Sequence, residues 1–386
     1  MNSQAVFPIP VSVLTGFLGA GKTTLLNRLL KDPELTDTAV IINEFGDVAI
    51  DHLLVEKASD GVIELSDGCL CCTVRGELVD TLADLVDRLQ TGRIERLARV
   101  VIETTGLADP VPVLQSIMGH PALIHAFRLD GVITVVDAVN GSATLDAHVE
   151  AVKQVAVADR IVLTKADLVD DAEWLDALKA RLARINPGAE IRKVEGAAVA
   201  KLLQCGLYDP ATKTADVRRW LGEATERDHH HDGDHHHHGD DHDHHHHGDG
   251  HEHHGHHHHH GHHHDSRVGS FSLTHAGALP FSTVEMFLDL LLSTQGDKLL
   301  RIKGIVELAE DRDRPLVIHG VQKLLHPPAR LPSWPDAVRG TRLVLIGIDL
   351  PRDYVERLFS AFVNKPAIDT PDREAMENNP LAIAGR

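Results

Sequence analysis

Apolar residues in this chain gather in short runs broken by glycine-rich or polar turns. Val11–Thr15 is a β-rich run that ends in a glycine-rich turn, and Thr23–Leu30 follows it with helical spacing. Further buried-strand patterns fall at Ala39–Ile42, Val62–Leu65, Arg99–Ile102, Gly131–Val136 and Arg160–Leu163. Between them, helical patterns fall at Leu78–Leu89, Ala147–Val155 and Ala172–Ile185. Near-continuous apolar strands alternating with helices predict an α/β fold, its mostly parallel sheet covered on both faces. This first domain is expected over residues 1–222.

The pattern then stops. Residues 229–264 are a tract of His, Asp and Gly with almost no apolar residue, inside a linker placed at 223–266. Such a composition has nothing to bury and is expected to be disordered without a ligand. Patterning resumes near Arg267. Strand patterns at Val268–Thr274, Lys298–Leu308, Leu316–Gly320 and Arg342–Ile348 join helical ones at Thr283–Leu292 and Tyr354–Phe362. These predict a small C-terminal α+β domain over 267–369, with a polar tail at 370–386.

Composition narrows the partners. A length of 386 residues accommodates both domains, and a formal charge of −19 lacks the basic stripe that a nucleic acid needs. No apolar run approaches the roughly 20 residues that span a bilayer. Met1–Pro10 has no basic region followed by a long apolar stretch, so no signal peptide is expected. Few cysteines without an export signal predict a cytoplasmic, reducing location.

Gly16-Phe17-Leu18-Gly19-Ala20-Gly21-Lys22-Thr23 fits the phosphate-binding pattern G-x-x-x-x-G-K-[ST] between a strand and a helix. Glycines let backbone N–H groups wrap phosphate oxygens, and the helix N-terminus adds its dipole. Lys22 is expected on the β- and γ-phosphates and Thr23 on Mg²⁺, with Gly16, Gly19, Ala20, Gly21 and Thr24 completing the cradle. Glu103 ends a buried strand, three residues before Gly106, where such proteins keep the acid behind Mg²⁺ and the γ-phosphate sensor. Thr164-Lys165-Ala166-Asp167 also follows a strand. Asp167 can accept from guanine N1–H and N2–H₂, which adenine lacks, and the Lys165 stem can cover the base. Thr164 stands where the guanine motif N-K-x-D has Asn. These features favour GTP over ATP.

Three of the four cysteines lie in Gly68-Cys69-Leu70-Cys71-Cys72. Thiolates this close can converge on one metal ion. Oxidation of the adjacent cysteines is a second reading. Cys69, Cys71 and Cys72 supply at most three of the four ligands zinc prefers, and water, Glu44 or His52 can complete the set. Cobalt(II) can use the same donors.

In this order the motifs resemble the CobW family of P-loop GTPases, relatives of the urease and hydrogenase nickel-insertion GTPases. The resemblance rests on Gly16–Thr24, Asn43-Glu44-Phe45-Gly46, Gly68–Cys72, Glu103-Thr104-Thr105-Gly106-Leu107-Ala108-Asp109-Pro110 and Thr164–Asp167. It extends to Leu299-Leu300-Arg301-Ile302-Lys303-Gly304 and Gly320-Val321-Gln322 in the second domain. It implies a slow GTPase, coupled to binding and delivery of zinc or cobalt, with the cysteines as metal ligands. It also implies a first switch at Asn43–Asp51, with Glu44, Asp47 and Asp51 as candidates for metal or Mg²⁺ contact.

The reading is a GTP-hydrolysing metallochaperone whose metal affinity follows nucleotide state and whose client is a metalloprotein. A metal-storage or sensing protein, an accessory for cobalt insertion in cobalamin synthesis, and a P-loop enzyme of ATP are the alternatives. Self-association is left open. The histidine tract reads as a metal reservoir, a tethered donor to the cysteine site, or a spacer. His120, His125, His148, His275, His319 and His326 read as packing or surface residues, and Cys205 is given no role.

Overall fold

The computed structural model describes residues 8–33, 35–43, 62–65, 74–194, 199–203, 205 and 267–363. Glu44, Asp47, Asp51, His52, Cys69, Cys71, Cys72, the histidine tract and the C-terminal tail lie outside them.

Among the described residues the N-terminal part has seven strands: β1 (Ile9–Gly16), β2 (Thr38–Asn43), β3 (Val62–Leu65), β4 (Arg99–Thr104), β5 (Phe127–Asp137), β6 (Arg160–Thr164) and β7 (Glu190–Lys193). They form one sheet in the order β3-β2-β4-β1-β5-β6-β7. Every pairing in it is parallel, from β1 on β4 and β5 to β6 on β7. Helices α1 (Lys22–Leu30), α2 (Val74–Gln90), α3 (Val111–Gly119), α4 (Gly141–Ala147), α5 (Val149–Ala156) and α6 (Ala172–Ile185) connect the strands. Alternate residues of a strand feed different cores. Val100 and Ile102 of β4 join α2, α3, α5 and α6, while Val101 joins Leu25, Leu26 and Leu29 of α1. Burial on both sides is why these strands read as continuous apolar runs.

Beyond Arg267 a second sheet holds β8 (Val268–His275), β9 (Leu299–Leu308), β10 (Asp311–Val321), β11 (Leu324–Leu325), β12 (Ala329–Arg330) and β13 (Thr341–Ile348). It runs β11-β10-β9-β13-β8, with β12 on β10, and its ladders are antiparallel. The helices Phe281–Gln295 and Arg352–Phe362 cover one face, where Phe287 meets Phe359 edge to face. The opposite face meets the first domain: Leu300, Val321 and Ile346 enter the same core as α3 and α5. Arg301 and Lys303 of β9 also face that way and are buried against Asp159.

Three departures from the sequence reading matter. The single helix expected at Ala147–Val155 is broken at His148, whose backbone is extended, and the break lays its ring on Phe17 at 4.3 Å between centroids. The sequence reading placed no element at α3, which opens with Pro110 and Pro112; proline fits the first helical turn, where no N–H partner is lost. The strand β7 was hidden because it lies at the sheet edge and is only partly covered.

Candidate functional site

The site is assembled at the carboxyl ends of β1, β4, β5 and β6, where open parallel sheets place ligands. Gly16 ends β1 and residues 17–21 loop over to α1. Gly21 caps α1 with φ 93°, a left-handed conformation that glycine adopts without strain. No side chain caps α1 and no acid stands in its first turn. Its first N–H groups and the positive end of its dipole are therefore left to an anion. Lys22 Nζ donates to Phe17 O at 3.3 Å, so the ammonium spans the same loop. Thr24 is exposed on the first turn.

Glu103 is buried near the end of β4, and its Oε1 accepts from Thr23 Oγ1 at 3.1 Å. The parallel register, with Leu14 opposite Glu103, brings the two strand ends together. A hydroxyl and a carboxylate are hard oxygen donors, the chemistry of a Mg²⁺ site. Gly106 lies three residues on. A Cβ there would stand 2.6 Å from the backbone N of Leu18, so only glycine lets this segment close on the loop.

The Thr164–Asp167 loop is bolted to the phosphate loop. Thr164 Oγ1 donates to Ala20 O at 2.6 Å, and Lys165 Nζ donates to Gly19 O at 3.0 Å. Lys165 has φ 54°, which turns the chain so that Asp167 stands exposed at the rim. Thr164, standing where the guanine motif has Asn, thus ties this position to the phosphate loop.

Sequence reasoning missed the residue beneath Lys165. Asp137 ends β5 and takes Lys165 Nζ at 2.7 Å, together with Val139 N at 2.8 Å and Asn140 Nδ2 at 3.0 Å. Burial raises its pKa, but these bonds outweigh burial and hold the carboxyl below its usual range. The available signal was an acid directly after the strand-like run Gly131–Val136. Gln154 and Lys153 of α5 were also missed. Both reach the segment after Glu103, through bonds to Gly106 O, Ala108 O and Asp109 Oδ2.

A cavity of about 260 Å³ lies beside the loop, lined by Phe17, Leu18, Asp137, Leu145, Gln154 and Lys165 among others. Gly19 and Ala20 of the same loop line it too, whereas Lys22, Thr23 and Glu103 do not. The metal half of the reading falls outside the described residues. Within them no cluster of His, Cys, Asp or Glu could hold a metal ion, and no helix is long and apolar enough to cross a membrane. Cys205 packs beside Gly131, where burial pushes its thiol up to about 12. Burial there disfavours the thiolate that metal binding or nucleophilic attack requires.

Comparison with known proteins agrees with this geometry. Residues 10–193 match the family described as CobW/HypB/UreG, nucleotide-binding domain. Residues 268–363 match the cobalamin synthesis protein cobW C-terminal domain. The chain is 34% identical over 353 residues to the zinc chaperone YjiA of Escherichia coli (strain K12), spanning 92% of this chain and 98% of that one. It is 39% identical over 212 residues to the zinc chaperone CobW of Pseudomonas aeruginosa, spanning 47% of this chain and 55% of the relative. The crystal structure of Zn(II)-bound YjiA GTPase from E. coli aligns with a TM-score of 0.63 at 30% identity, over 92% of this chain and 99% of that one. With both domains matched in order and a relative aligned nearly end to end, the chain belongs to the CobW family of P-loop GTPases.

Proposed function

We propose that this protein is a cytoplasmic GTP-hydrolysing metallochaperone that carries zinc to a client metalloprotein. The observation that carries the nucleotide half is the double staple of Thr164 and Lys165 onto Ala20 O and Gly19 O. It fixes a base-reading aspartate at a set distance from a phosphate loop, the layout that lets one ligand be read at both ends. Gly16, Gly19, Ala20, Gly21, Lys22, Thr23 and Thr24 hold the phosphates. Thr23 and Glu103 hold Mg²⁺, which neutralises charge on the β- and γ-phosphates when bound. Lys165 covers the base and Asp167 selects guanine.

Zinc is the cargo, supported by the zinc chaperones to which the chain is similar. Cys69, Cys71 and Cys72 are its proposed ligands, with Glu44 the candidate fourth, and cobalt(II) the alternative ion. In this reading GTP organises the switch at 43–51 and the cysteine loop together, and by linkage zinc then favours the GTP state.

The test is Zn²⁺ affinity measured with GDP and with a non-hydrolysable GTP analogue, followed by transfer to zinc-free client enzymes. Tighter zinc binding with the analogue and GTP-dependent transfer are expected. Equal affinities in both states would make the protein a metal store, and preference for ATP in competition would remove the guanine assignment.

A further inference from the structure

Gln154 is a buried amide in an apolar helix, 1% exposed, between Ala151, Val152, Val155 and Ala156 of α5. A buried polar side chain persists where its hydrogen bonds are made. Its Nε2 donates to Gly106 O and to Ala108 O, each at 3.1 Å. Both partners are carbonyl oxygens, so only the amide NH₂ can serve them. The backbone carbonyl of Gln154 accepts from Thr134 Oγ1 of β5 at 2.7 Å, which fixes the helix under it.

The neighbouring residues grip the same region. Lys153 Nζ meets Asp109 Oδ2 at 2.8 Å, and Asp109 Oδ1 accepts from Val111 N at 3.0 Å, opening α3. Just ahead of α5, His148 stacks on Phe17 of the phosphate loop. Gly106 is therefore held from two sides. Its Cα is pressed against the Leu18 backbone, and its carbonyl is tied to Gln154.

We propose that Gln154 is a positioning residue for GTP hydrolysis: it sets the Gly106–Ala108 backbone against the phosphate loop at the γ-phosphate end. Lys153 reinforces it through Asp109. The proposal rests on the GTPase reading above and names the residue that governs the segment after Glu103. GDP lacks the group this segment would meet, so the loss of Gln154 separates the two nucleotides.

The test uses the full chain with Gln154→Met, similar in length but without a donor, and Gln154→Glu. GDP affinity is expected to stay within about threefold of wild type in Gln154→Met, while kcat and analogue affinity fall by about tenfold or more, since buried carbonyls lose their donor. In Gln154→Glu the ionised carboxylate repels both carbonyls, and its protonated form has one O–H to donate. Its kcat should therefore climb as pH is lowered from about 8 to about 6, a profile the wild type lacks. Lys153→Met, on a less buried residue, should show the same split more weakly.

If Gln154→Met loses GDP and analogue binding alike, the amide only maintains the fold and the proposal fails. It fails too if the variant hydrolyses GTP at the wild-type rate. A wild-type protein that binds no GTP would instead overturn the underlying reading.

Discussion

Arg301 Nη2 donates to both oxygens of Asp159, at 2.7 and 2.8 Å, across the junction of the two sheets. Lys303 Nζ stands 2.7 Å from the same carboxylate. Burial raises the Asp159 pKa, yet Arg301 and then Lys303 outweigh it and hold the carboxyl far below its usual range. One carboxylate thus neutralises two buried cations. Asp159 precedes β6, whose other end carries Thr164, so the joint lies on the strand that presents the Thr164–Asp167 loop.

Removing that carboxylate takes a buried ion-pair partner from both cations. Asp159→Ala is expected to cost about 3–5 kcal/mol, the usual penalty for breaking a buried ion pair from one side. A lowered urea midpoint for the full chain would record it. Replacing Asp159, Arg301 and Lys303 together by Leu, Met and Met should recover most of the loss, because well-packed apolar groups replace buried pairs at little penalty. A triple variant no more stable than Asp159→Ala would show that the charges themselves hold the joint.

The same joint gives acid sensitivity. Burial, and then the Arg301 charge, push the His319 imidazole well below its ordinary 6.5, although Asp159 pulls the other way and Lys303 and His326 add to the depression. Its ring lies parallel to His326, which burial also lowers. The unfolded chain takes up a proton near 6.5 that the folded chain refuses, so unfolding binds protons and stability rises with pH there. The contribution is complete above about 6.5 and is lost as pH falls through the lower folded value. Asp159 adds its own loss only in stronger acid, below about 4. Thermal melts should show Tm falling between about pH 7.5 and 5.5. In His319→Phe that fall should be smaller, and an unchanged slope would place the sensitivity elsewhere.

Thr164 makes a separate, local prediction. Its hydroxyl satisfies Ala20 O, and Thr164→Val keeps the shape while leaving that carbonyl without this donor. GDP and GTP should both bind about tenfold more weakly, by the same factor, because the staple supports base and phosphate loop alike. Thr164→Asn should stay near wild type, since an amide NH₂ can reach the same oxygen. Titration calorimetry with both nucleotides separates these outcomes.

Much of this arrangement was legible in the sequence, for identifiable reasons. The strands β2, β4 and β6 announced themselves because burial on both faces leaves continuous apolar runs such as Arg99–Ile102. The proximity of Thr23 to Glu103 was legible because phosphate chemistry demands fixed residue types at fixed spacing. Asp137, Gln154 and Asp159 were not. Each acts on a partner distant in the chain, Lys165, Gly106 and Arg301 respectively, and a lone polar residue beside an apolar run carries no spacing signature. Arg301 and Lys303 carry part of the family resemblance, but their burial follows only from the docking of β9 on the first domain. The helix α3 was not among the predicted elements, nor was the bond from Gln115 Nε2 to Gln322 Oε1 at 3.1 Å that ties the segment after Asp109 to the second sheet.

Glu103→Gln tests how the metal-side geometry is divided. The glutamine oxygen can still accept from Thr23 Oγ1, so the pairing at 3.1 Å survives while the negative charge is lost. If Glu103 serves only to orient the Thr23 hydroxyl, nucleotide affinity and its dependence on Mg²⁺ should both be unchanged. If the charge also holds the cation, GDP binding measured in EDTA should persist. The affinity gained on adding Mg²⁺ should then shrink by about tenfold, the difference between a charged and a neutral hydrogen-bond partner. The second outcome is expected, because the carboxylate is buried beside the hydroxyl at the end of β4, where a divalent cation meets the least competition from water.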